Sequence, residues 1–305
     1  MDSTEPLVSL LNKLSAQGYD FTTVSPATHA RVVARKGEAA GLRDIFGWNL
    51  PFRPEQLPAG MLELLTAANA VEDAGDYLKS RVRVARLGEQ LFLHSSYPTE
   101  EDDSVFFGPD TYRFAAFIAE ELKSLGETGH VVDIGAGSGA GGILAGSLLP
   151  QARVTLSDVN PAALRLAAIN AAHAGVEVEL VQGSGLSRVE GPTDLVLANP
   201  PYMADAKSRA YRDGGGLLGA ELSLQWALEA AERLEPGGTM LLYTGVAIID
   251  GRDRLKEALE SRLPRDCTLR YSEMDPDVFG EELEREAYRE AERICAVNAV
   301  IRKSG

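Results

Sequence analysis

The apolar positions of this chain keep a helical period at its start, switch to a two-residue period before residue 100, and then alternate between the two. Between Glu5 and Gln17 the leucines fall at 7, 10, 11 and 14, the spacing of one face of a short amphipathic helix. Ala39 to Phe46 and Pro58 to Ala70 also read as helical, separated by the proline-bearing stretch Trp48 to Pro54. Arg81-Val-Arg-Val-Ala-Arg-Leu87 then alternates, and Gly88-Glu-Gln90 turns the chain into Leu91-Phe-Leu-His94, a β-hairpin pattern. Pro98 to Ser104 is a charged linker. From Thr111 helical and strand patterns alternate: Tyr112–Ser124, Val131–Ile134, Gly139–Leu149, Val154–Ser157, Pro161–Ala174, Val176–Val181 and Leu195–Ala198. Glu221–Leu234 and Thr239–Thr244 continue the series around Pro236-Gly-Gly238, and Cys267–Met274 and Ile294–Arg302 read as late strands. Asn160-Pro161 supplies a cap and a first-turn proline for one helix. Short apolar strands alternating with helices predict an α/β doubly wound parallel sheet covered on both faces.

A chain of 305 residues, 45% hydrophobic, can bury a sizeable core and divides into two domains at the charged linker, 1–104 and 105–305. The N-terminal unit reads as a winged-helix-like group of helices capped by a hairpin. A formal net charge of −15 disfavours a general phosphate-backbone binder. Arg81, Arg83 and Arg86 would form a solvated strand face, with a local basic patch as the alternative. The two cysteines, Cys267 and Cys295, lie far apart and indicate no disulfide scaffold. No apolar run reaches membrane-spanning length and the N-terminus is acidic, so the expectation is a soluble, cytoplasmic protein. The histidines show no metal-ligand spacing, and His29 falls in an expected loop. The acidic stretch Asp275 to Glu292 reads as a solvated helix, a substrate contact being the alternative.

Two stretches carry chemistry. Val131-Val-Asp-Ile-Gly-Ala-Gly-Ser-Gly139 is a buried strand entering a glycine turn, where Gly135, Gly137 and Gly139 leave room for a ligand to approach the backbone. Asp158 ends the next strand, 23 positions after Gly135, and suits a ribose diol. Gly135-x-Gly137-x-x-Ala140 also satisfies a dinucleotide fingerprint, but Asp133 would oppose a pyrophosphate and suits a cationic amino-acid moiety. The second stretch is Asn199-Pro200-Pro201-Tyr202, at the end of a strand. The Asn199 side-chain carbonyl and the Pro200 backbone carbonyl can accept the two N–H groups of a planar –NH2, while proline adds no competing donor. Tyr202 can lie flat against a planar amide or base.

With these stretches in this order, the region from about Val105 to the C-terminus resembles a class I S-adenosylmethionine-dependent methyltransferase of the small-domain type. It resembles the HemK-like protein-glutamine N5-methyltransferases, which modify peptide release factors or a ribosomal protein. The resemblance rests on Asp133 to Gly139, Asp158-Val-Asn160-Pro161, Asn199 to Tyr202, and Phe106-Phe-Gly-Pro-Asp-Thr111, similar to the family's Pro-x-Thr segment. It implies a Rossmann-like seven-stranded sheet whose last strand is antiparallel, and an N-terminal domain that recognises substrate or acts as a lid. It also implies S-adenosyl-L-methionine as cofactor, with Gly135, Ala136, Gly137 and Gly139 around its methionine part and Asp133 near its ammonium. Asp158 would bind the ribose hydroxyls, Asn160 would sit near the adenosine, and Thr111 would pass close by. Asn199, Pro200, Pro201 and Tyr202 would form the acceptor site, with Asn199 also counted among the cofactor contacts.

The chain departs from the family in Val181-Gln-Gly-Ser-Gly185, which lacks the usual carboxylate for the adenine amino group, so Gln182 or Ser184 would substitute. Gly108 and the glycine-rich loop Tyr211 to Leu217 also depart from it. The leading expectation is methylation of a glutamine in a translation factor or ribosomal protein. Methylation of adenine or guanine in RNA or DNA, a small-molecule substrate, and an inactive cofactor-binding scaffold are the alternatives.

Overall fold

The computed structural model describes residues 4–99, 101–203 and 212–305. Its N-terminal unit contains helices α1 (Thr4–Ala16), α2 (Pro26–Val33) and α3 (Met61–Ala67), followed by hairpins β1 (Val71–Ala74)–β2 (Tyr77–Ser80) and β3 (Val82–Leu87)–β4 (Gln90–Ser95). There follow α4 (Pro109–Leu122), β5 (His130–Ile134), α5 (Ala140–Leu148), β6 (Arg153–Asp158), α6 (Pro161–Ala174), β7 (Glu179–Gln182) and β8 (Thr193–Ala198). The chain ends with α7 (Glu221–Arg233), β9 (Leu234–Ile249), β10 (Arg252–Asp253), α8 (Arg254–Arg262), β11 (Cys267–Asp275) and β12 (Arg293–Lys303).

The sheet order is β11-β12-β9-β8-β5-β6-β7, with the short β10 paired to β9. β5 through β9 run parallel, and β12 lies antiparallel to both β9 and β11. This is the doubly wound seven-stranded arrangement expected from the alternating pattern. All five positions of β5 are buried, which requires helices on both faces. The order reverses at β5: β6 and β7 extend to one side and β8 to the other. A crevice therefore opens beyond the carboxyl ends of β5, β6 and β8.

Local chemistry explains most boundaries. Asn160 caps α6 by accepting the Ala162 N–H at 2.9 Å, Pro161 occupies the first turn, and Gly175 closes the helix with φ 69°. β9 outruns the expected Thr239–Thr244 because Pro236-Gly-Gly238 is absorbed in a register irregularity between the Thr193 and Leu195 pairs. The hairpin β1–β2, the short β10 and two helices were not foreseen. α2 begins at Ser25-Pro26, where the serine hydroxyl accepts the Thr28 N–H, and α8 buries only Leu255 and Leu259. His29 is therefore buried on α2 rather than in a loop, hydrogen-bonded to the Trp48 carbonyl at 3.0 Å.

The helix expected over Ala39–Phe46 shrinks to one wide turn, Arg43–Gly47. There the Asp44 carboxylate takes the Ala40 N–H at 2.9 Å and pairs with Lys36 at 2.6 Å, a local alternative to helical hydrogen bonding. The arginine triplet is not a uniformly solvated face either: Arg81 is exposed, but Arg83 is not. Arg83 is buried and donates to the Ser95 carbonyl at 2.9 Å, Arg81 pairs with Glu72, and Arg86 with Asp20. Among the described residues no helix is long and apolar enough to cross a membrane.

The N-terminal unit has its own core, built from the α1 leucines, Phe21, Ile45, Phe46, Phe52 and the β3–β4 side chains, which Ile169 of α6 joins. Polar side chains attach the unit to the sheet. Fully buried Asn170 accepts the Leu93 N–H at 2.8 Å and donates to the Leu93 and Ser138 carbonyls at 3.1 and 2.9 Å. Asn170→Ala leaves these backbone groups unsatisfied and should cost roughly 2–4 kcal/mol in urea denaturation. Hydrogen exchange should rise first at β4; a midpoint equal to the parent's would contradict this attachment.

Candidate functional site

A cavity of about 410 Å³ occupies the crevice at the strand ends. Thr111, Asp133, Gly135, Ala136, Gly137, Asp158, Asn160, Ser184, Asn199, Pro200, Pro201 and Tyr202 all line it. Sequence reasoning had singled out each of these, and the fold brings them together from five chain segments. Gly139 is the exception. It caps α5 with φ 79° and faces Ile143, Ala167 and Leu156, so its role is packing beneath the turn. Gln182 does not line the cavity and donates to the Val159 carbonyl at 3.3 Å, leaving Ser184 at the wall. Tyr211, in the expected glycine-rich loop, lies outside the described residues.

Three buried carboxylates face the cavity. The Asp133 side chain, at the end of β5, accepts the Gly142 N–H at 2.7 Å. A Cβ at Gly142 would stand 2.3 Å from Leu156 and 3.0 Å from Asp133, so a glycine there lets α5 approach the carboxylate. Burial pushes Asp133 up to about 7, the Gly142 N–H pulls it down, and the Asp158 charge raises it again. Asp158 accepts the Gly137 and Asn160 N–H groups, each at 2.8 Å; burial raises its pKa and these bonds lower it. Gly137 reaches this bond with φ 54°, a conformation glycine adopts without steric cost. Asn160 also donates to the Asp103 carbonyl at 2.8 Å, tying the segment ahead of α4 to the site.

The third carboxylate was not picked out from the sequence. Asp110, in the first turn of α4, accepts the hydroxyl protons of Tyr202 and Tyr243, both at 2.7 Å, and pairs with Arg113 at 3.3 Å. Arg113 continues to Asp275 at 2.9 Å. Burial raises the Asp110 pKa, while the Tyr243 and Tyr202 hydroxyls and Arg113 lower it. Its sequence signal was Pro109-Asp-Thr111, but only the fold supplies the two tyrosines. Thr111 accepts the Gly108 N–H at 3.2 Å and so fixes the start of α4.

The acceptor stretch leaves β8 directly beside the glycine turn, because β5 and β8 pair in parallel as far as Ile134 and Ala198. Asn199 is half-buried, and Pro200 and Tyr202 are buried. Trp226 of α7 lies beneath the turn, 2.6 Å from where a Gly135 Cβ would stand. Its buried indole N–H has no hydrogen-bond partner among the described residues. Phe106, Met203 and Phe279 complete the apolar wall, and Arg212, paired with Glu282, also lines it.

The acidic stretch after Asp275 is not a solvated helix. It forms two short turns, Gly280–Glu284 and Glu286–Tyr288, with Glu282 and Tyr288 buried. Arg212 and Arg285 pair with Glu282, and the Tyr288 hydroxyl donates to the Leu218 carbonyl at 3.3 Å. These partners pull the segment onto the cavity wall.

Fold and site together define a class I, Rossmann-like methyltransferase architecture, with a glycine turn and an Asn-Pro-Pro-Tyr strand end meeting at one crevice. The model of the methyltransferase small domain matches residues 102–261, more than half of the chain, and the chain belongs to that family. It is 35% identical over 185 residues to the release factor glutamine methyltransferase of Deinococcus radiodurans, covering 57% of this chain and 63% of that protein. It is 33% identical over 210 residues to the ribosomal protein L11 methyltransferase of Pelotomaculum thermopropionicum, covering 62% of each. It is 30% identical over 154 residues to the ribosomal RNA small subunit methyltransferase C of Ectopseudomonas mendocina, covering 46% of each. The matched region spans less than two thirds of the length of each of these relatives.

Tyr243 is fully buried, and its hydroxyl serves a buried carboxylate. Tyr243→Phe should therefore lose roughly 1.5–3 kcal/mol of stability in chemical denaturation. An unchanged midpoint would mean that Asp110 does not depend on that bond.

Proposed function

We propose that this protein is an N-methyltransferase that moves a methyl group from S-adenosylmethionine to a planar amide nitrogen, with glutamine in a translation factor or ribosomal protein as the acceptor. The observation that carries the reading is the position of Asn199 and Pro200 on the wall of a cavity whose other side holds Asp133 and Asp158. The donor set fits the cofactor. Its two buried carboxylates suit an ammonium and a ribose diol, and the volume lies in the range of small-molecule sites. The same carboxylates would repel a pyrophosphate, which speaks against a dinucleotide.

When bound, S-adenosylmethionine supplies an electrophilic methyl group on a sulfonium. Asp133 holds the ammonium, Asp158 the ribose hydroxyls, and Ser184 and Asn160 stand at the adenosine end. Asn199 Oδ1 and the Pro200 carbonyl accept the two N–H groups of the acceptor and draw its lone pair out of conjugation. The proton lost on transfer passes to these oxygens or to water. Catalysis then rests on orientation and electrostatics rather than on a strong base. Residues 1–104 form the proposed substrate-recognition or lid domain, and residues 105–305 the transfer domain. Pro26 on the cavity wall supports that assignment.

The match to ribosomal RNA small subunit methyltransferase C favours a second reading, an exocyclic amine of a base in RNA. The net charge of −15 counts against it. Label from methyl-labelled S-adenosylmethionine in protease-sensitive material supports the first reading. Label in RNase-sensitive material, with steep salt dependence, supports the second.

Asn199→Ala should lose about 10²-fold or more in turnover while binding S-adenosylmethionine as tightly as the parent. Full turnover in that variant would sink the reading. A pH dependence follows from Asp133. Its pKa of about 7 lies above that of the unfolded chain, so the unliganded protein loses stability as pH rises from about 4 to about 7. A cationic ligand favours the ionised carboxylate, so affinity for S-adenosylmethionine should tighten as pH rises toward 7. Calorimetric titration of the parent and Asp133→Asn between pH 5.5 and 7.5, roughly bracketing that pKa, checks this, the variant binding weakly and without that slope.

A further inference from the structure

Phe279 plays no part in the transfer proposed above, yet it lines the same cavity. It sits at φ 55°, ψ 43°, in the left-handed region that residues with a bulky side chain rarely occupy. Such a conformation persists only where the surroundings over-determine it. Here the Val278 N–H donates to the Ile294 carbonyl at 2.7 Å, and the Phe279 carbonyl accepts the Glu282 N–H at 2.8 Å. Glu282 is held by Arg212 and Arg285, and Tyr288 donates to the Leu218 carbonyl. The segment is pinned at several points, and its strained residue carries an aromatic ring into the cavity.

That ring meets Tyr202 edge-on, with centroids 6.0 Å apart and planes at 61°. On another side Tyr202 rests on β9, its ring 2.3 Å from where a Cβ at Gly245 would stand, and Asp110 fixes its hydroxyl. Only 7% of Tyr202 is exposed. A base held between two rings needs them parallel and about 7 Å apart, the depth of two van der Waals contacts. A base stacked on Tyr202 alone needs an open ring face. The two rings are not parallel and little of Tyr202 is exposed for a base to stack on, whereas a carboxamide, the smallest planar –NH2 group a protein carries, needs a smaller face.

We propose that Phe279 is a specificity-determining residue that limits the acceptor slot to a group of carboxamide size and closes it to purines. This rests on the amide N-methyltransfer reading. Phe279 contributes the wall and Tyr202 the floor, while Asn199 and Pro200 hold the nitrogen. The pinned left-handed backbone keeps the ring in place before the acceptor arrives, which lowers the ordering cost on binding.

The test compares the full chain with Phe279→Ala, Phe279→Leu and Asn199→Ala, using methyl-labelled S-adenosylmethionine, desalted cell extract, and adenosine and guanosine as purine probes. Thermal melts and cofactor titrations accompany each variant. The expected result is protein-glutamine label in the parent. Phe279→Ala should raise the acceptor KM about tenfold or more, with cofactor Kd unchanged, and should gain label on the purine probes. Phe279→Leu should fall between the two. An unchanged acceptor KM in Phe279→Ala, or a parent that already methylates the purines, overturns the proposal. Asn199→Ala separates the two levels. If it is inactive while Phe279→Ala matches the parent, only the role of Phe279 fails. If it turns over as the parent does, or if the parent labels nothing, the transfer reading fails and takes this inference with it.

Discussion

The parallel pairing of β5 with β8 is the constraint on which the site depends. Val131 faces Leu195, and the register continues to Ile134 opposite Ala198. One residue beyond those last partners the two strands release the glycine turn and Asn199 side by side. Both strands are buried over most of their length, so neither can slip without moving side chains between faces of the sheet. The reversal of strand order at β5 keeps the space above these ends free of a crossover, and α5 and α7 wall it from either side. Gly141 of α5 and Trp226 of α7 mark those two walls.

Electrostatically the cavity is an acidic hollow held open by donors. Each of its three buried carboxylates has partners: helix or turn N–H groups for Asp133 and Asp158, two phenols and a guanidinium for Asp110. A buried carboxylate without such bonds would simply be neutralised. The donors permit charge where the fold places it, and glycines at 137 and 142 let the backbone come close enough to provide them. Asp110 differs from the other two in joining side chains. It connects α4, β9 and the acceptor stretch, so the orientation of Tyr202 depends on elements far apart in the chain.

Polar side chains also bind the peripheral parts to the sheet. Asn170 holds the β4 edge of the N-terminal unit, Asn160 holds the linker, and Glu282 holds the acidic segment against the cavity. Buried polar bonds of this kind add specificity as much as stability, because an offset docking would strand their donors and acceptors.

The alternation of helix and strand from Thr111 to β9 and the caps at Asn160-Pro161 were legible in the sequence, and twelve of the thirteen residues picked for the site line one cavity. The elements follow from local rules: apolar period fixes element type, and glycine and proline fix where the chain turns; several site residues, Thr111, Asn160 and Ser184 among them, came from the family resemblance. What the sequence left undecided turns on partners distant along the chain. Arg83 looked solvated because alternation does not reveal what covers a strand. The stretch after Asp275 looked like a free acidic helix because nothing nearby announces Arg212 as the partner of Glu282. Asp110 gave no sign of two tyrosines, one 92 and the other 133 positions away. Periodicity records a residue's own preference for water, and only packing decides which buried charge meets which donor.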